Sequence, residues 1–257
     1  MLAVILAGGL GTRLAEETQL KPKPLVEIGQ KPIIWHIMKN LHVSGFNQFL
    51  ILAGYKAHLI KDYFLNYHVF GSDVTIKTKT NSVKFYEKHV EEWEVTILDT
   101  GYSTMTGGRL LRAASFLPEG EPFLFTYGDG LSNIDVSKLM DCHAESKKIV
   151  TVTAVRPPSR FGALDIAQNG EVLGFEEKPI HEMGLINGGF FIMDKQVLRY
   201  IDGDTCVWEE APMSKLVQDG QLNAYQHGGF WQPMDTLRDK QKLEMLWSSG
   251  KAPWSNW

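Results

Sequence analysis

Residues 2–14 read LAVILAGGLGTRL, an apolar run that stops at Gly8 and Gly9. A short, continuous apolar run that ends at a turn signal is typical of a strand buried on both faces. Strands of this kind occur in parallel sheets covered by helices, and such sheets bind their ligands beyond the carboxyl ends of the strands. The opening of the chain therefore predicts an α/β fold with a binding site at Gly8.

Similar segments alternate along the first 155 residues. Short apolar runs predict further strands at 48–53, 123–127 and 149–155. Apolar residues at helical spacing predict helices at 31–43, 57–67, 109–117 and 136–146. This alternation is typical of an open, mostly parallel, Rossmann-like sheet flanked by helices. Gly128-Asp129-Gly130 follows the strand at 123–127, so we expect it at the same edge of the sheet as Gly8.

The second half of the chain has a different pattern. It predicts shorter strands at 163–167, 171–176 and 185–193, and helices at 207–219 and 236–248. We expect a single domain over 1–257, with a first lobe at 1–135, an inserted ribbon at 71–99, a smaller strand-rich lobe at 136–235, and a C-terminal helix and tail at 236–257. The ribbon is expected to serve as a lid or a subunit contact.

Composition excludes several classes of protein. The 26 Lys and Arg residues stand against 30 Asp and Glu residues, and this balance argues against a nucleic-acid-binding protein. No apolar run reaches the roughly 18 residues of a membrane helix, and the N-terminus lacks the pattern of a signal peptide. Only Cys142 and Cys206 occur, far apart in sequence. These features predict a cytoplasmic protein without a membrane partner.

The glycine-rich loop suggests a phosphate site. Gly8, Gly9 and Gly11 permit a close approach of the backbone to a ligand, and Arg13 and Lys23 supply positive charge. A Walker A loop is excluded because no Lys-Ser or Lys-Thr pair follows the last glycine. The dinucleotide fingerprint also fails, since it lacks its third glycine. Glycines after a strand also form ordinary tight turns, so these residues alone leave both interpretations open.

Several motifs together resemble the sugar-1-phosphate nucleotidyltransferases. The first are LAGGLGTRL at 6–14 and KPKPLVEIGQKPI at 21–33. The others follow in the family's order: Tyr127-Gly128-Asp129-Gly130, Phe161-Gly162, Glu177-Lys178-Pro179, Asn187-Gly188-Gly189 and Trp231-Gln232-Pro233-Met234-Asp235-Thr236. The resemblance extends to about residue 240. Within the family, STMTGGRL at 103–110 and FWQPMDTLRDK at 230–240 are most similar to members that use CTP and glucose 1-phosphate.

The resemblance implies a reaction. The phosphate of α-D-glucose 1-phosphate would attack the α-phosphate of CTP, giving CDP-glucose and pyrophosphate for dideoxyhexose and surface polysaccharide synthesis. Arg13, Lys23 and Asp129 would be catalytic, and Mg²⁺ would be bound by Asp129 and Asp235. Without the resemblance, an Asp in a glycine turn is usually a turn residue. The family commonly forms homo-oligomers, so we expect one here.

The resemblance also assigns binding residues. The first lobe would bind the nucleotide through Leu6, Ala7, Gly8, Gly9, Leu10, Gly11, Thr12, Arg13, Lys23, Thr104, Gly108, Arg109 and Gly128. The second lobe would bind the sugar phosphate through Gly162, Glu177, Lys178 and Asn187. Arg109 could donate to the O2 and N3 acceptors of cytosine and so disfavour uracil or thymine. It could also be a helix-start residue that faces solvent.

Other interpretations remain open at this stage. A thymidylyl- or uridylyltransferase of the same fold would use the same motifs. A non-catalytic sensor of nucleotides or sugar phosphates is also possible, but it would not need to retain all the charged residues of the motifs, which are Arg13, Lys23, Asp129, Lys178 and Asp235. A glycosyltransferase would favour a DxD metal motif, whereas this sequence has Gly128-Asp129-Gly130. The tryptophans are expected to pack in the core or at subunit contacts, and we expect Trp254 and Trp257 of the tail to dock on a neighbouring chain.

Overall fold

The computed structural model describes residues 1–86, 91–157, 163–166, 168, 170–176 and 184–257. Its strands are β1 (Leu2–Ala7), β2 (Glu27–Ile28), β3 (Lys31–Pro32), β4 (Gln48–Ala53), β5 (Asp73–Lys77), β6 (Ser82–Tyr86), β7 (Glu94–Asp99), β8 (Phe123–Tyr127), β9 (Gly130–Ser132), β10 (Val150–Val155), β11 (Ala163–Ile166), β12 (Val172–Glu176), β13 (Ile186–Met193), β14 (Leu222–His227) and β15 (Trp231–Pro233). Its α-helices are α1 (Ala15–Thr18), α2 (Ile33–Val43), α3 (Ala57–Leu65), α4 (Tyr67–Gly71), α5 (Thr106–Arg112), α6 (Val136–Ser146), α7 (Ala211–Gln218) and α8 (Leu237–Ser248).

The described residues build a seven-stranded central sheet in the order β14-β10-β13-β8-β1-β4-β7. The pairs β8–β1, β1–β4, β4–β7 and β10–β14 are parallel, whereas β13 runs antiparallel to both of its neighbours. The predicted α/β class, with an open and mostly parallel sheet flanked by helices, is therefore confirmed. Within the described part of the chain, no helix has the length and apolar character needed to cross a membrane.

The central strand β1 divides the core into two layers. Ala3 and Ile5 pack in the layer that contains α2, and Val4 and Leu6 pack in the layer that contains Leu110 of α5. This division follows from the two-residue period of a strand, because successive side chains point to opposite faces. Both faces of β1 are thus covered, which explains why its sequence is a continuous apolar run rather than an alternating one.

The expected ribbon at 71–99 is too long. Among the described residues of this range, β5 and β6 form an antiparallel hairpin that covers Asp73 to Tyr86. Residues 94–99 are instead the edge strand β7, paired in parallel with β4 from Gln48↔Glu94 onward. An edge strand is covered on fewer sides, and the half-exposed, partly charged sequence of β7 made it resemble a surface excursion. The role of the hairpin as a lid or subunit contact stays a prediction.

The helix α5 and the strand β14 also differ from the sequence-based expectation. The helix expected at 109–117 is α5, which begins at Thr106, and a 3-10 turn follows at Ala114–Phe116. Glycines disfavour helices, but a Cβ at Gly108 would lie only 2.5 Å from the carbonyl oxygen of Asp204, so close packing requires glycine there. The strand β14 was not predicted, because its sequence LNAYQH lacks an apolar run.

The topology places loops from distant parts of the chain together. The parallel strands β1, β4 and β8 end at the same edge of the sheet, so the loops after them are neighbours. The short strands β9 and β15 then pair antiparallel, with Gly130 opposite Pro233. The backbone N–H of Met234 also donates to the carbonyl oxygen of Asp129 at 2.9 Å. This pairing returns the chain from residue 233 to the edge where β8 ends.

The tail packs on its own chain at Trp254, which corrects the expectation that this residue docks on a neighbour. Trp254 is fully buried and stacks on Phe230 and Trp247 at centroid distances of 5.6 and 6.4 Å. Trp257 remains 39% exposed and makes an edge contact with Trp35. The aromatic cluster therefore ties the C-terminal tail to the α2 side of the core.

Replacement of the two tail tryptophans should have unequal effects. Trp254→Ala should lower the free energy of unfolding by about 3–5 kcal/mol, because it leaves a cavity the size of an indole in the core. Trp257→Ala should cost less than about 1 kcal/mol, since its ring is already partly in water. Urea unfolding followed by circular dichroism measures both. Equal losses in the two variants would contradict the packing described here.

Candidate functional site

Two connected cavities lie at the carboxyl edge of the sheet. The first, which we call the glycine-loop cavity, has a volume of about 590 Å³ and lies among residues 6–13, 102–106 and 127–129. The second, which we call the Asn187 cavity, has a volume of about 400 Å³ and lies between β13, β15 and the end of β8. Arg13, Tyr127 and Asp129 line both cavities, so the two form one continuous cleft.

Most of the predicted nucleotide-binding residues line the glycine-loop cavity. These are Leu6, Ala7, Gly8, Gly9, Leu10, Gly11, Thr12, Arg13, Lys23, Thr104, Arg109 and Gly128. Gly108 is not among the residues around this cavity, since it packs against the backbone of Asp204. Of the residues predicted to bind the sugar phosphate, Asn187 lines the second cavity, and Gly162, Glu177 and Lys178 lie outside the described residues.

The glycines of the loop have different reasons for lacking a side chain. Gly11 has a φ of +65°, a left-handed conformation that favours glycine. A Cβ at Gly8 would lie 2.3 Å from the guanidinium carbon of Arg109. A Cβ at Gly9 would meet no atom of the described residues within 4 Å, so packing against this part of the chain does not require glycine there. The space beside Gly9 is thus open to the close approach of a ligand.

Two cations and two carboxylates meet where the cavities join. The ammonium group of Lys23 lies 2.6 Å from Asp129 Oδ2 and 2.8 Å from Asp235 Oδ1. Arg13 Nη1 lies 2.9 Å from Asp235 Oδ2. Burial would by itself lower the pKa of Lys23, but the two carboxylates outweigh burial and raise this pKa, so Lys23 is positively charged at neutral pH. We call these four residues the charged cluster.

Secondary structure fixes Asp235 opposite Asp129. The pairing of β9 with β15 brings the two segments together, and a capping box then begins α8 directly after Asp235. In that box Thr236 Oγ1 accepts from the N–H of Asp239, and the Asp239 carboxylate accepts from the N–H groups of Asp235 and Thr236. The Asp235 backbone is therefore held by the start of a helix rather than by a loose loop.

The donor set of the charged cluster fits a hard divalent cation. Asp129 and Asp235 direct carboxylate oxygens at one shared ammonium group, and carboxylate oxygens are the ligands that Mg²⁺ or Ca²⁺ prefer. Within the described ranges, no three His, Cys, Asp or Glu side chains gather closely enough to hold a metal by themselves. A cation at these two carboxylates would thus take its remaining ligands from water and from phosphate oxygens, as Mg²⁺ commonly does.

Arg109 ties together the ends of three parallel strands. Its Nη1 donates to the carbonyl oxygens of Ala53 and Gly101 and to Thr100 Oγ1, at 3.2, 2.7 and 2.6 Å. Its Nη2 donates to the carbonyl oxygen of Gly8 at 3.1 Å. The residue is only 4% exposed, and burial lowers the pKa of its guanidinium. Arg109 therefore does not face solvent, and its predicted contact with a base remains a proposal.

Sequence reasoning missed a hydrogen-bonded group between the two cavities. The hydroxyl of Tyr127 donates to Glu209 Oε1 at 2.5 Å, and Thr106 Oγ1 donates to Glu209 Oε2 at 2.7 Å. Trp231, expected only as a packing residue, lines the Asn187 cavity and donates from its indole to the carbonyl oxygen of Gly188 at 2.7 Å. Glu209 directly precedes another glutamate at a helix start, which in sequence is indistinguishable from a solvated surface position.

Comparisons with known proteins agree with this geometry. A family model described as "Nucleotidyl transferase" matches residues 2–233. The chain is 55% identical to a glucose-1-phosphate cytidylyltransferase of Salmonella typhi and 54% identical to one of Salmonella typhimurium, with 100% of both chains covered in each case. The crystal structure of HddC from Yersinia pseudotuberculosis has a TM-score of 0.71 at 24% identity, covering 96% of this chain and 99% of that one, and supports the fold.

Arg109 should matter for stability more than its neighbour on the same helix. Arg109→Met should lower the free energy of unfolding by about 2–4 kcal/mol, because buried carbonyl oxygens lose their donors. Arg112→Met is the comparison variant: this exposed arginine pairs with Asp204 and donates to one carbonyl oxygen, that of Thr100, so its replacement should cause a smaller loss. Urea unfolding of both variants tests the difference. A larger loss in Arg112→Met would mean that Arg109 does not hold the strand ends.

Proposed function

The chain belongs to the nucleotidyl transferase family, and on that premise we propose that it transfers the cytidylyl group of CTP to α-D-glucose 1-phosphate. The products are CDP-glucose and pyrophosphate. The observation that carries this proposal is the 55% identity to a glucose-1-phosphate cytidylyltransferase over the full length of both chains. The charged cluster supports it independently, because it offers two cationic side chains to phosphate groups and two carboxylates to a divalent cation at the place where two anionic substrates would meet.

The reaction needs positioning and charge neutralisation more than acid–base chemistry. The phosphate of glucose 1-phosphate is already an anion at neutral pH, so no general base has to activate it. Arg13 is 76% exposed at its side chain and can turn toward the phosphates of CTP, whereas Lys23 is only 11% exposed and sits at the junction of the cavities. We assign both cations to the charge on the α-phosphate and the departing pyrophosphate.

We propose Mg²⁺ as the metal, bound by Asp129 and Asp235. When bound, Mg²⁺ neutralises charge on phosphate oxygens and orients them. The two carboxylates fit this ion because they share one cation in the protein itself, at 2.6 and 2.8 Å. The pairing of β9 with β15 pre-organises the two carboxylates, so binding a metal requires no rearrangement of the backbone.

We assign the selection of the nucleobase to residues 102–106 and to Arg109 of helix α5, which line the glycine-loop cavity. Arg109 and Thr104 line this cavity. Both terminal nitrogens of Arg109 already donate to oxygen atoms at the strand ends, so they can donate to cytosine only by sharing or exchanging one of these hydrogen bonds. A donor fixed in this way favours the N3 acceptor of cytosine over the N3–H of uracil or thymine.

The remaining assignments are proposals from family resemblance. Lys178 would contact the sugar phosphate, Glu177 would accept from sugar hydroxyls, and Gly162 would border the sugar. A homo-oligomer is proposed on the same basis, as is a product that feeds surface polysaccharide synthesis. A cytoplasmic location is proposed from the sequence features described above, including the two widely separated cysteines.

Purified protein with Mg²⁺ and glucose 1-phosphate should release pyrophosphate faster with CTP than with UTP, dTTP, ATP or GTP. Asp129→Asn should lower the rate by about 100-fold or more, because one carboxylate ligand of the metal becomes neutral. Arg109→Met should also reduce the ratio of CTP to UTP turnover.

Pyrophosphate release with none of the triphosphates would refute the transferase. Full activity of Asp129→Asn would refute its metal role, and an unchanged ratio in Arg109→Met would exclude Arg109 as the base reader.

Lys23 and a divalent cation should compete for the same two carboxylates. Lys23→Met should therefore bind Mn²⁺ about tenfold more tightly than the wild type in the absence of nucleotide, as expected for a coupling of 1–3 kcal/mol. Titration of free Mn²⁺ by electron paramagnetic resonance measures this affinity without turnover. Lys21→Met is the matched control, because Lys21 pairs with Glu27 outside the cluster and its loss should leave Mn²⁺ affinity unchanged. Equal affinities of wild type and Lys23→Met would contradict the competition.

A further inference from the structure

Glu209 lines the Asn187 cavity from the stretch between Trp208 and α7. Its carboxylate is in contact with solvent, yet hydroxyl groups from two other elements hold it on both sides. One comes from Tyr127 at the end of β8 and the other from Thr106 at the start of α5. A glutamate on a surface normally keeps its rotamer freedom. Glu209 has lost that freedom at the junction of the two cavities.

The directions of these hydrogen bonds are fixed by what else the hydroxyls contact. Thr106 Oγ1 accepts from the backbone N–H of Trp208 at 2.8 Å, so its single proton is available to Glu209. Burial, followed by the negative charge of Glu209, raises the pKa of Tyr127, which keeps the phenol protonated and donating. Both hydroxyls therefore act as donors, and Glu209 accepts from each through a different oxygen.

Glu209 has capacity for a further donor. An ionised carboxylate offers about four lone-pair sites, and the two hydroxyls occupy two of them. The same cavity contains Asn187, whose Oδ1 accepts from the N–H of Gly189 at 2.8 Å. The indole of Trp231 closes another wall and is anchored on Gly188. A neutral molecule rich in hydroxyl groups fits this lining, because it can donate to Glu209 while its ring lies beside the indole.

The charges in the cavity also define an orientation. A phosphate group is repelled by Glu209. Among the described residues that line the Asn187 cavity, the cationic side chain is Arg13, which lies there beside its partner Asp235 and beside Asp129. A sugar phosphate therefore binds with its phosphate toward the charged cluster and its ring toward Glu209. We propose that Glu209 is a hexose-binding residue, whose carboxylate accepts a hydrogen bond from a hydroxyl group of the sugar ring and so selects and orients the sugar 1-phosphate. This inference rests on the proposed function.

The test combines removal of the carboxylate with removal of single hydroxyls from the substrate. We would measure kcat/KM for glucose 1-phosphate and its 2-, 3-, 4- and 6-deoxy analogues at saturating CTP. The wild type should discriminate against one or more analogues by about 10- to 100-fold, the range expected for a hydrogen bond to a charged group. In Glu209→Ala the discrimination against the analogue that lacks the contacted hydroxyl should disappear, and discrimination against the others should remain. Glu209→Gln should restore part of it, since its amide oxygen still accepts.

Glu210→Ala is the matched control, because this adjacent exposed residue precedes α7 and makes no capping hydrogen bond through its side chain. It should keep the wild-type pattern. An equal loss for all sugar analogues in Glu209→Ala would overturn the inference, since it would mean that Glu209 only supports Tyr127 and Thr106. A changed preference for CTP over dCTP with unchanged sugar discrimination would also overturn it, because the partner would then be a ribose hydroxyl.

Calorimetric binding of glucose 1-phosphate and the same analogues separates this inference from the proposed function. Pyrophosphate release by the wild type decides the proposed function. The binding pattern of Glu209→Ala decides the role of Glu209, even for a protein without turnover. Loss of discrimination at one hydroxyl supports the contact, and identical affinities of the wild type for all analogues would contradict it.

Discussion

The ammonium group of Lys23 between Asp129 and Asp235 is the interaction on which the rest of the site depends. It joins segments 106 and 212 residues apart in sequence. Two ionised carboxylates held this close repel each other, and a cation such as an ammonium group or a metal ion between them relieves the repulsion. The fold brings the carboxylates together at fixed backbone positions, so the demand for a cation is built into the topology.

That demand arises from backbone structure that is itself held in place. The parallel strands β1, β4 and β8 end at one edge, and the pairing of β9 with β15 adds the segment of Asp235 to this edge. Arg109 then holds the loops after β1, β4 and β7 through their carbonyl oxygens. Carbonyl oxygens at strand ends would otherwise need water, which a ligand would displace. The buried guanidinium therefore supplies rigidity and satisfied hydrogen bonds at the same place.

Local patterns could be recognised in the sequence, whereas long-range pairings could not. The apolar run of β1 and the helical stripe of α2 predicted these elements, because burial of a strand or helix leaves a pattern of apolar residues within a short stretch of sequence. The polar strand β14, the edge strand β7 and the burial of Trp254 depend on neighbours far away in sequence, so no local period marks them. The motifs around the charged cluster were found through family resemblance. Glu209 belongs to no such motif and became visible only through the hydroxyls that hold it.

The ion pairs within the charged cluster would couple the binding of phosphate to the binding of a divalent cation. Every cation of the cluster already has a carboxylate partner, so the cleft is close to neutral before substrate binds. Phosphate groups that take Lys23 and Arg13 as partners draw these cations away from Asp129 and Asp235, and a divalent cation at the two carboxylates replaces the positive charge that they lose. Under the proposed function, nucleotide phosphate and a divalent cation would therefore strengthen each other's binding, and by thermodynamic linkage the coupling would be equal in both directions. Local compensation of this kind also explains why a net charge of −4 gives no indication of a site for two anions.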